Sequence, residues 1–219
     1  SAHVDRSDVG LPVLTAFTVT AKAVSTGRPT SERSTCALAL RRARFPAASC
    51  GRAANDAFAP SDLPRRLPRS RHALFTSFAG DGPLEAQLAL LERLPADVDV
   101  SFDPGEIYAR KGVKRFLPIL DRCAYLFSTV TELEMMCGLS LPESLAFLLN
   151  AGVGLVIVKM GSRGARLVGR RVDLYVPPLP AEVVDVTGAG DLFAAGFIAA
   201  MIEQTGLESA GRLAAWAAS

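Results

Sequence analysis

The segment from Asp185 to Phe193 is the part of the chain whose residue types and spacing best fit chemistry. It reads Asp-Val-Thr-Gly-Ala-Gly-Asp-Leu-Phe, and its first two residues end the predicted strand 183–186. Small residues allow the backbone N–H groups of Gly188, Ala189 and Gly190 to turn toward one point. A helix beginning there would add the positive end of its dipole. The segment therefore predicts an anion-binding loop, best suited to a phosphoryl group.

The carboxylate of Asp191 stands directly after this loop. It would repel a simple anion, but it fits a site in which it takes a proton from an attacking hydroxyl. The plainer interpretation is a helix cap after a tight turn, because Asp is a preferred capping residue. The strand before the loop, the helix after it and the full residue string favour the catalytic interpretation.

This segment resembles the Asp-Thr-x-Gly-Ala-Gly-Asp motif of the ribokinase-like (PfkB) family of sugar and nucleoside kinases. Further resemblances occur in the family's order: Thr35–Leu40, Ala53–Asp56, Ser101–Gly105, Leu126–Leu133 and Val156–Ala165. In that order, the first two are similar to the family's upstream strand and its Gly-Ala-Asn stretch, and the third to its Asp-Pro-rich strand end. The fourth is similar to its Asn-x-x-Glu magnesium motif, and the fifth to its glycine segment beside the nucleotide phosphates. The resemblance is strong over 71–219 and weak over about 5–70.

The resemblance implies a role for each matching residue. Asp191 would be the general base, and Gly188, Ala189 and Gly190 the anion hole. Glu132 would be the acidic member of the magnesium motif. The nucleotide side would comprise Lys159, Gly161, Gly164, Thr187 and Asp185, with Asp185 supporting the loop beside a monovalent cation site. ATP and Mg²⁺ are the implied cofactors, and a small-molecule sugar or nucleoside is the implied partner.

Two interpretations of this resemblance are open. One is an ATP-dependent phosphotransferase that moves the γ-phosphoryl group to a hydroxyl of a sugar or nucleoside. The other is a non-catalytic remnant of the same fold with weak nucleotide binding. Thr129 replaces the motif's Asn, and Thr129–Glu132 is also a capping box. We also expect the chain to lack the family's N-terminal sugar loop and the end of its adenine pocket.

Strand and helix patterns alternate from residue 71 onward. Strands are predicted at His72–Phe78, Val98–Phe102, Ala124–Phe127, Val153–Lys159, Ala165–Val168, Val172–Val176 and Val183–Val186. Helices are predicted at Pro83–Leu94, Val113–Asp121, Val130–Cys137, Pro142–Asn150, Asp191–Glu203 and Leu207–Ala218. This order predicts an α/β fold, a doubly wound and mostly parallel sheet with helices on both faces. The site is expected at the carboxyl ends of the strands.

Residues 1–70 differ in composition from the rest. They hold 11 Lys and Arg against 5 Asp and Glu, whereas residues 71–219 hold 13 against 17. We expect 1–70 to be a partial, weakly ordered small β lid with runs such as Val13–Val19, and 71–219 to be the kinase core. The arginines of 1–70 have no interleaved aromatic residues, so nucleic acid is not an expected partner.

Composition excludes several other classes. The four cysteines form no Cys-x-x-Cys pair, which argues against a disulfide framework or a zinc site and favours a cytoplasmic location. No uncharged apolar run reaches the ~20 residues of a membrane span. A GxxxxGK[ST] loop is missing, and Gly152-Val153-Gly154 precedes its strand, which argues against P-loop and dinucleotide folds. Whether the protein forms a homodimer stays open.

Overall fold

The computed structural model describes residues 14–16, 58–67, 70–180 and 188–219. Within these ranges, seven strands form one sheet in the order β1-β2-β3-β4-β5-β6-β7. The strands are β1 (Leu14–Ala16), β2 (His72–Thr76), β3 (Asp99–Asp103), β4 (Cys123–Thr129), β5 (Leu155–Lys159), β6 (Ala165–Gly169) and β7 (Val172–Val176). Strands β1 to β5 are parallel, and β6 and β7 add an antiparallel hairpin to β5.

Seven α-helices lie in the described ranges. They are α1 (Gly82–Arg93), α2 (Gly105–Ala109), α3 (Leu117–Asp121), α4 (Val130–Cys137), α5 (Leu141–Asn150), α6 (Ala189–Ile202) and α7 (Leu207–Ala217). Short 3₁₀ turns occupy Pro60–Asp62, Val113–Phe116 and Gly161–Arg163. None of the described helices is long and apolar enough to cross a membrane.

The first five helices belong to the crossovers between β2 and β5. Because these parallel strands are neighbours in chain order, right-handed crossovers place all five helices on the same face of the sheet. The core on that face includes Phe75, Phe102 and Val156 from the strands and Leu90 and Leu133 from the helices, all nearly fully buried.

The opposite face of the sheet is covered by α6 and α7. Phe197 of α6 is fully buried and meets the rings of Tyr125 and Phe127 edge-on, with centroids 5.4 and 5.6 Å apart. Gly196 and Gly211 allow the two helices to come close to each other and to β7. The sheet therefore separates two apolar cores, and the predicted α/β fold with helices on both faces is confirmed.

Two details of the predicted elements need correction. The predicted helix Val113–Asp121 is a 3₁₀ turn followed by α3, because Pro118 in the first turn of α3 cannot continue a helix from before it. Helix α2 was not predicted. The predicted strand Val183–Val186, the segments Thr35–Leu40 and Ala53–Asp56, and most of the lid region 1–70 lie outside the described residues. Backbone pairing places β1 inside the run Val13–Val19, and the division at residue 70 stays a prediction.

Candidate active site

Three strands end next to one another at the same edge of the sheet. Asp103 is the last residue of β3, Thr129 of β4 and Lys159 of β5. Thr129 and Lys159 are direct partners in the register between β4 and β5. Carboxyl ends of parallel strands are the usual place for ligands in open α/β sheets. The topology therefore brings these three side chains to one location from separate parts of the chain.

A buried ion pair joins two of these strand ends. Lys159 Nζ donates to Asp103 Oδ2 over 2.7 Å, and the two side chains are only 16% and 11% exposed. Asp103 Oδ1 also accepts from the backbone N–H of Gly105 at 3.2 Å. Burial raises the pKa of Asp103 above its ordinary value; the charge of Lys159 opposes this rise and that of Glu132 adds to it. Asp103, Lys159 and Glu132 thus form one electrostatic group.

Helix α6 begins beside this group. A Cβ on Gly190 would lie 3.3 Å from Lys159 Nζ, so the ammonium lies against the first turn of the helix. Gly188 precedes the helix with φ +83°, a left-handed conformation that glycine adopts without strain. The first helical hydrogen bond joins the N–H of Leu192 to the carbonyl of Gly188 at 2.9 Å. The preceding N–H groups therefore have no acceptor within the helix.

The loop residues and Asp191 are accessible to a ligand. Gly188, Ala189 and Gly190 are partly exposed, and Asp191 is exposed in the first turn of α6. In the described part of the chain, no side chain caps this helix. A phosphate oxygen could therefore approach the N–H groups that have no acceptor within the helix, with the ammonium of Lys159 at its side.

Glu132 has a structural role in addition to any role in binding. Its Oε2 accepts from the backbone N–H of Thr129 at 2.7 Å and from Ser128 Oγ at 3.0 Å. Thr129 Oγ1 in turn accepts from the Glu132 N–H at 3.3 Å. The capping box that the sequence predicts at the start of α4 is confirmed.

The carboxylates near this edge suit magnesium better than a metal held by protein ligands alone. No group of three or more His, Cys, Asp or Glu side chains that could hold a metal occurs among the described residues. Mg²⁺ commonly binds through one or two carboxylates and completes its shell with water and phosphate oxygens. Glu132, the acidic residue of the predicted magnesium motif, fits that pattern.

The glycines after β5 shape the loop in different ways. Gly164 has φ +80°, and a Cβ there would lie 2.1 Å from the carbonyl oxygen of Val176, so no larger residue fits. Gly161 has φ +58°, and no atom of the described residues lies within 4 Å of a Cβ built there. Gly164 therefore fixes the loop to the end of β7, while Gly161 leaves its surroundings clear. Their placement along a nucleotide stays a prediction.

The predicted site residues are only partly covered by the structure. It brings Glu132, Lys159 and the loop of α6 to one edge of the sheet, but Asp185 and Thr187 lie outside the described residues. Asp103 was not predicted as a site residue. The signal for it is that Asp103 and Lys159 both close a buried strand, so opposite charges arrive at the same edge.

Comparison with known proteins identifies the family. Residues 72–219 match the model of the pfkB family of carbohydrate kinases, and the chain belongs to this family. It is 32% identical over 130 residues to an uncharacterized sugar kinase of Archaeoglobus fulgidus, covering 59% of this chain and 51% of that protein. It is 32% identical over 123 residues to a nucleoside kinase of Methanothermobacter thermautotrophicus, covering 55% and 38%.

A solved structure shows the same architecture. The ribokinase of Arabidopsis thaliana complexed with ribose and ATP superimposes with a TM-score of 0.59 and 30% identity. The match covers 68% of this chain and 49% of that one. The chain thus spans about half the length of the proteins it matches, or less.

Proposed function

We propose that this chain carries the phosphoryl-transfer part of an ATP-dependent kinase that acts on a hydroxyl of a sugar or nucleoside. The observation that carries the proposal is the start of α6, where backbone N–H groups that have no acceptor within the helix, the exposed Asp191 and the Lys159 ammonium lie together. Its family relatives include kinases named for sugars and for nucleosides, which supports this substrate class.

The residues at the start of α6 would divide the chemistry between them. The amides of Gly188, Ala189 and Gly190 bind the transferring phosphoryl group, whose charge is spread over its oxygens in a loose transition state. Asp191, one residue further, accepts the proton of the acceptor hydroxyl. Its exposure leaves it free to meet a substrate that approaches from the edge of the sheet.

The nucleotide would lie beside Lys159 and the loop of Gly161 and Gly164, with Thr187 and Asp185 completing that side. Glu132 is the residue that would hold magnesium, which when bound offsets charge on the phosphates. A monovalent cation near Asp185 belongs to the same proposal. The rival interpretation, a non-catalytic remnant, is not favoured by the relatives, which are named as kinases.

The test is an ADP-release assay with a panel of sugars and nucleosides. It would use the chain itself and a version completed with the relatives' terminal segments. Asp191→Asn keeps the shape of the side chain but removes the base, so kcat should fall at least ~100-fold. ATP affinity should hold or improve, because a negative charge beside the phosphates is lost. Glu208→Gln is the matched control, since Glu208 is an exposed carboxylate in the first turn of α7.

Two results would contradict the proposal. Unchanged kcat in Asp191→Asn would remove the base assignment. Equal losses of kcat and ATP affinity would instead show that Asp191 supports the shape of the loop and is not the base. The control variant should retain wild-type values in both measurements.

A further inference from the structure

Lys159 lies where an ammonium group is unfavourable on its own. Its Nζ is next to Gly190 at the start of α6, where the helix dipole has its positive end. It is also largely buried, and a buried charge needs a partner. Asp103 is the partner that the structure provides, at 2.7 Å. The position of the ammonium therefore depends on this carboxylate.

Asp103 is itself fixed by its surroundings. It ends β3, two strands away from β5, and its second oxygen accepts from the N–H of Gly105. Gly105 has φ +51°, and a Cβ there would lie 2.9 Å from Ser77 Oγ, so the turn that holds the carboxylate is tightly packed. Asp103 can thus define one place for the ammonium.

We propose that Asp103 is a positioning residue: it holds the Lys159 ammonium against Gly190 so that a phosphoryl group at the α6 loop contacts the ammonium as well as the amides. This inference rests on the proposed function and adds to it a fixed positive charge in the phosphate site. It also gives Gly190 a specific role, because any side chain there would meet the ammonium.

A positioning role for Asp103 and simple charge repulsion predict opposite changes in anion affinity when the Asp103 carboxylate is removed. Removal of a negative charge near an anion site should by itself tighten anion binding. If Asp103 instead holds Lys159 in place, its removal lets the ammonium leave the site and weakens binding. The sign of the change therefore separates a positioning role from a merely repulsive one.

The experiment measures binding of inorganic tripolyphosphate to the 219-residue chain by calorimetry. EDTA is present throughout, so that bound metal does not contribute. Lys159→Met should weaken binding about tenfold or more, the loss expected for one charge-assisted contact. Asp103→Asn should weaken it several-fold in the wild-type background and have no further effect in Lys159→Met.

Two further variants make the test secure. Asp103→Glu keeps the net charge and shifts the carboxylate by one methylene, so weaker binding must come from position. Asp103→Glu also tests the positioning role if circular dichroism shows that Asp103→Asn does not fold. Asp173→Asn is the matched control, because Asp173 pairs with Arg166 on the exposed face of the β6–β7 hairpin. It should bind like the wild type.

Three other outcomes would overturn either the positioning role or the proposed function. Binding that is equal or tighter in both Asp103 variants overturns the positioning role and leaves the proposed function intact. An equal loss from Asp103→Asn with and without Lys159 shows that Asp103 acts independently, which also overturns it. If the wild-type chain binds no tripolyphosphate, the anion site of the proposed function fails as well.

Discussion

The guanidinium of Arg71 donates a hydrogen bond of 3.2 Å to the carbonyl oxygen of Ile202, the last residue of α6. Arg71 directly precedes β2, so the contact joins two elements that are 131 positions apart. The final carbonyl groups of a helix carry a partial negative charge and lack partners within the helix. Arg71 thus stabilises the end of the helix whose beginning forms the candidate site.

Replacement of Arg71 should lower the stability of the fold by a modest amount. Arg71→Ala removes an exposed, charge-assisted bond, and we expect the free energy of unfolding to fall by about 0.5–1 kcal/mol. Arg71→Lys should retain much of this, because it keeps a cation near the carbonyl. Urea denaturation measures both; identical midpoints for the Ala and Lys variants would show that the charge contributes nothing.

His72 should make stability depend on pH in the acidic range. The residue is 1% exposed, and its ring stacks on Tyr125 and places Nε2 2.7 Å from Ser101 Oγ. Burial lowers the pKa of His72 from 6.5 to about 4. Between these values the unfolded chain binds the proton more readily, so stability falls as pH drops from 6.5 and levels off below 4. The full loss is on the order of 3 kcal/mol.

The measurement is the free energy of unfolding at several pH values, compared between the wild type and His72→Gln. The amide can still hydrogen-bond Ser101 but does not titrate. In the wild type, the free energy of unfolding should change by up to ~1.4 kcal/mol per pH unit in this range because of His72, and the variant should lack this contribution. Parallel pH profiles for the two proteins would rule out a depressed His72 pKa.

Gly211 should be intolerant of even a methyl group. A Cβ at this position in α7 would lie 2.5 Å from Val176 Cγ2 of β7. Alanine favours a helix over glycine by about 1 kcal/mol, but overpacking a core costs ~1–3 kcal/mol. We therefore expect Gly211→Ala to destabilise the fold on balance, seen as a lower melting temperature.

The double variant Gly211→Ala/Val176→Ala is the control for this steric argument. It removes the methyl group that the new Cβ would meet, so the two substitutions together should cost less than the sum of their separate costs. Strict additivity would mean that the contact with Val176 is not the cause.

Thr129 should contribute to stability through its hydroxyl alone. Because its Oγ1 accepts from the Glu132 N–H, Thr129→Ala should cost about 1 kcal/mol. Thr129→Asn, which restores the residue type of the family's motif, should keep the cap and cost little. Thermal unfolding distinguishes the two; an Asn variant as unstable as the Ala variant would contradict the capping role.

The repeating pattern of apolar residues was sufficient to predict most of the core. Leu84, Leu88 and Leu91 predicted α1, and the continuous apolar run before Lys159 predicted β5, since both patterns reflect burial. The sequence did not predict helix α2, because Pro104-Gly105 is typical of a turn. In the structure, Gly105 has a positive φ and is the first residue of the helix. Tertiary packing stabilises this short helix, since the Tyr108 ring contacts the rings of Phe102 and Phe116.

The separate motifs of the site were predictable from the sequence, but the pairing of side chains between them was not. The loop of Gly188 to Asp191 forms one contiguous motif and was recognised from the sequence. The partnership of Asp103 with Lys159 spans 56 positions and exists only because β3, β4 and β5 lie side by side. No local pattern contains that order of strands, so only the assembled sheet shows that the two charges meet.

The strand order of the sheet has a consequence for biosynthesis. Since β2 to β5 pair in the order of translation, we expect each strand to find its partner already emerged from the ribosome. The chain up to residue 180 would then have one face covered by α1 to α5. On the other face, Leu74, Phe127 and Ile157 pack against α6 and α7 in the described part of the chain, and these two helices would still be missing. That nascent form would expose this apolar surface to aggregation or to chaperones. Helix α6, which carries the candidate anion loop, is the first of the two helices to cover the surface.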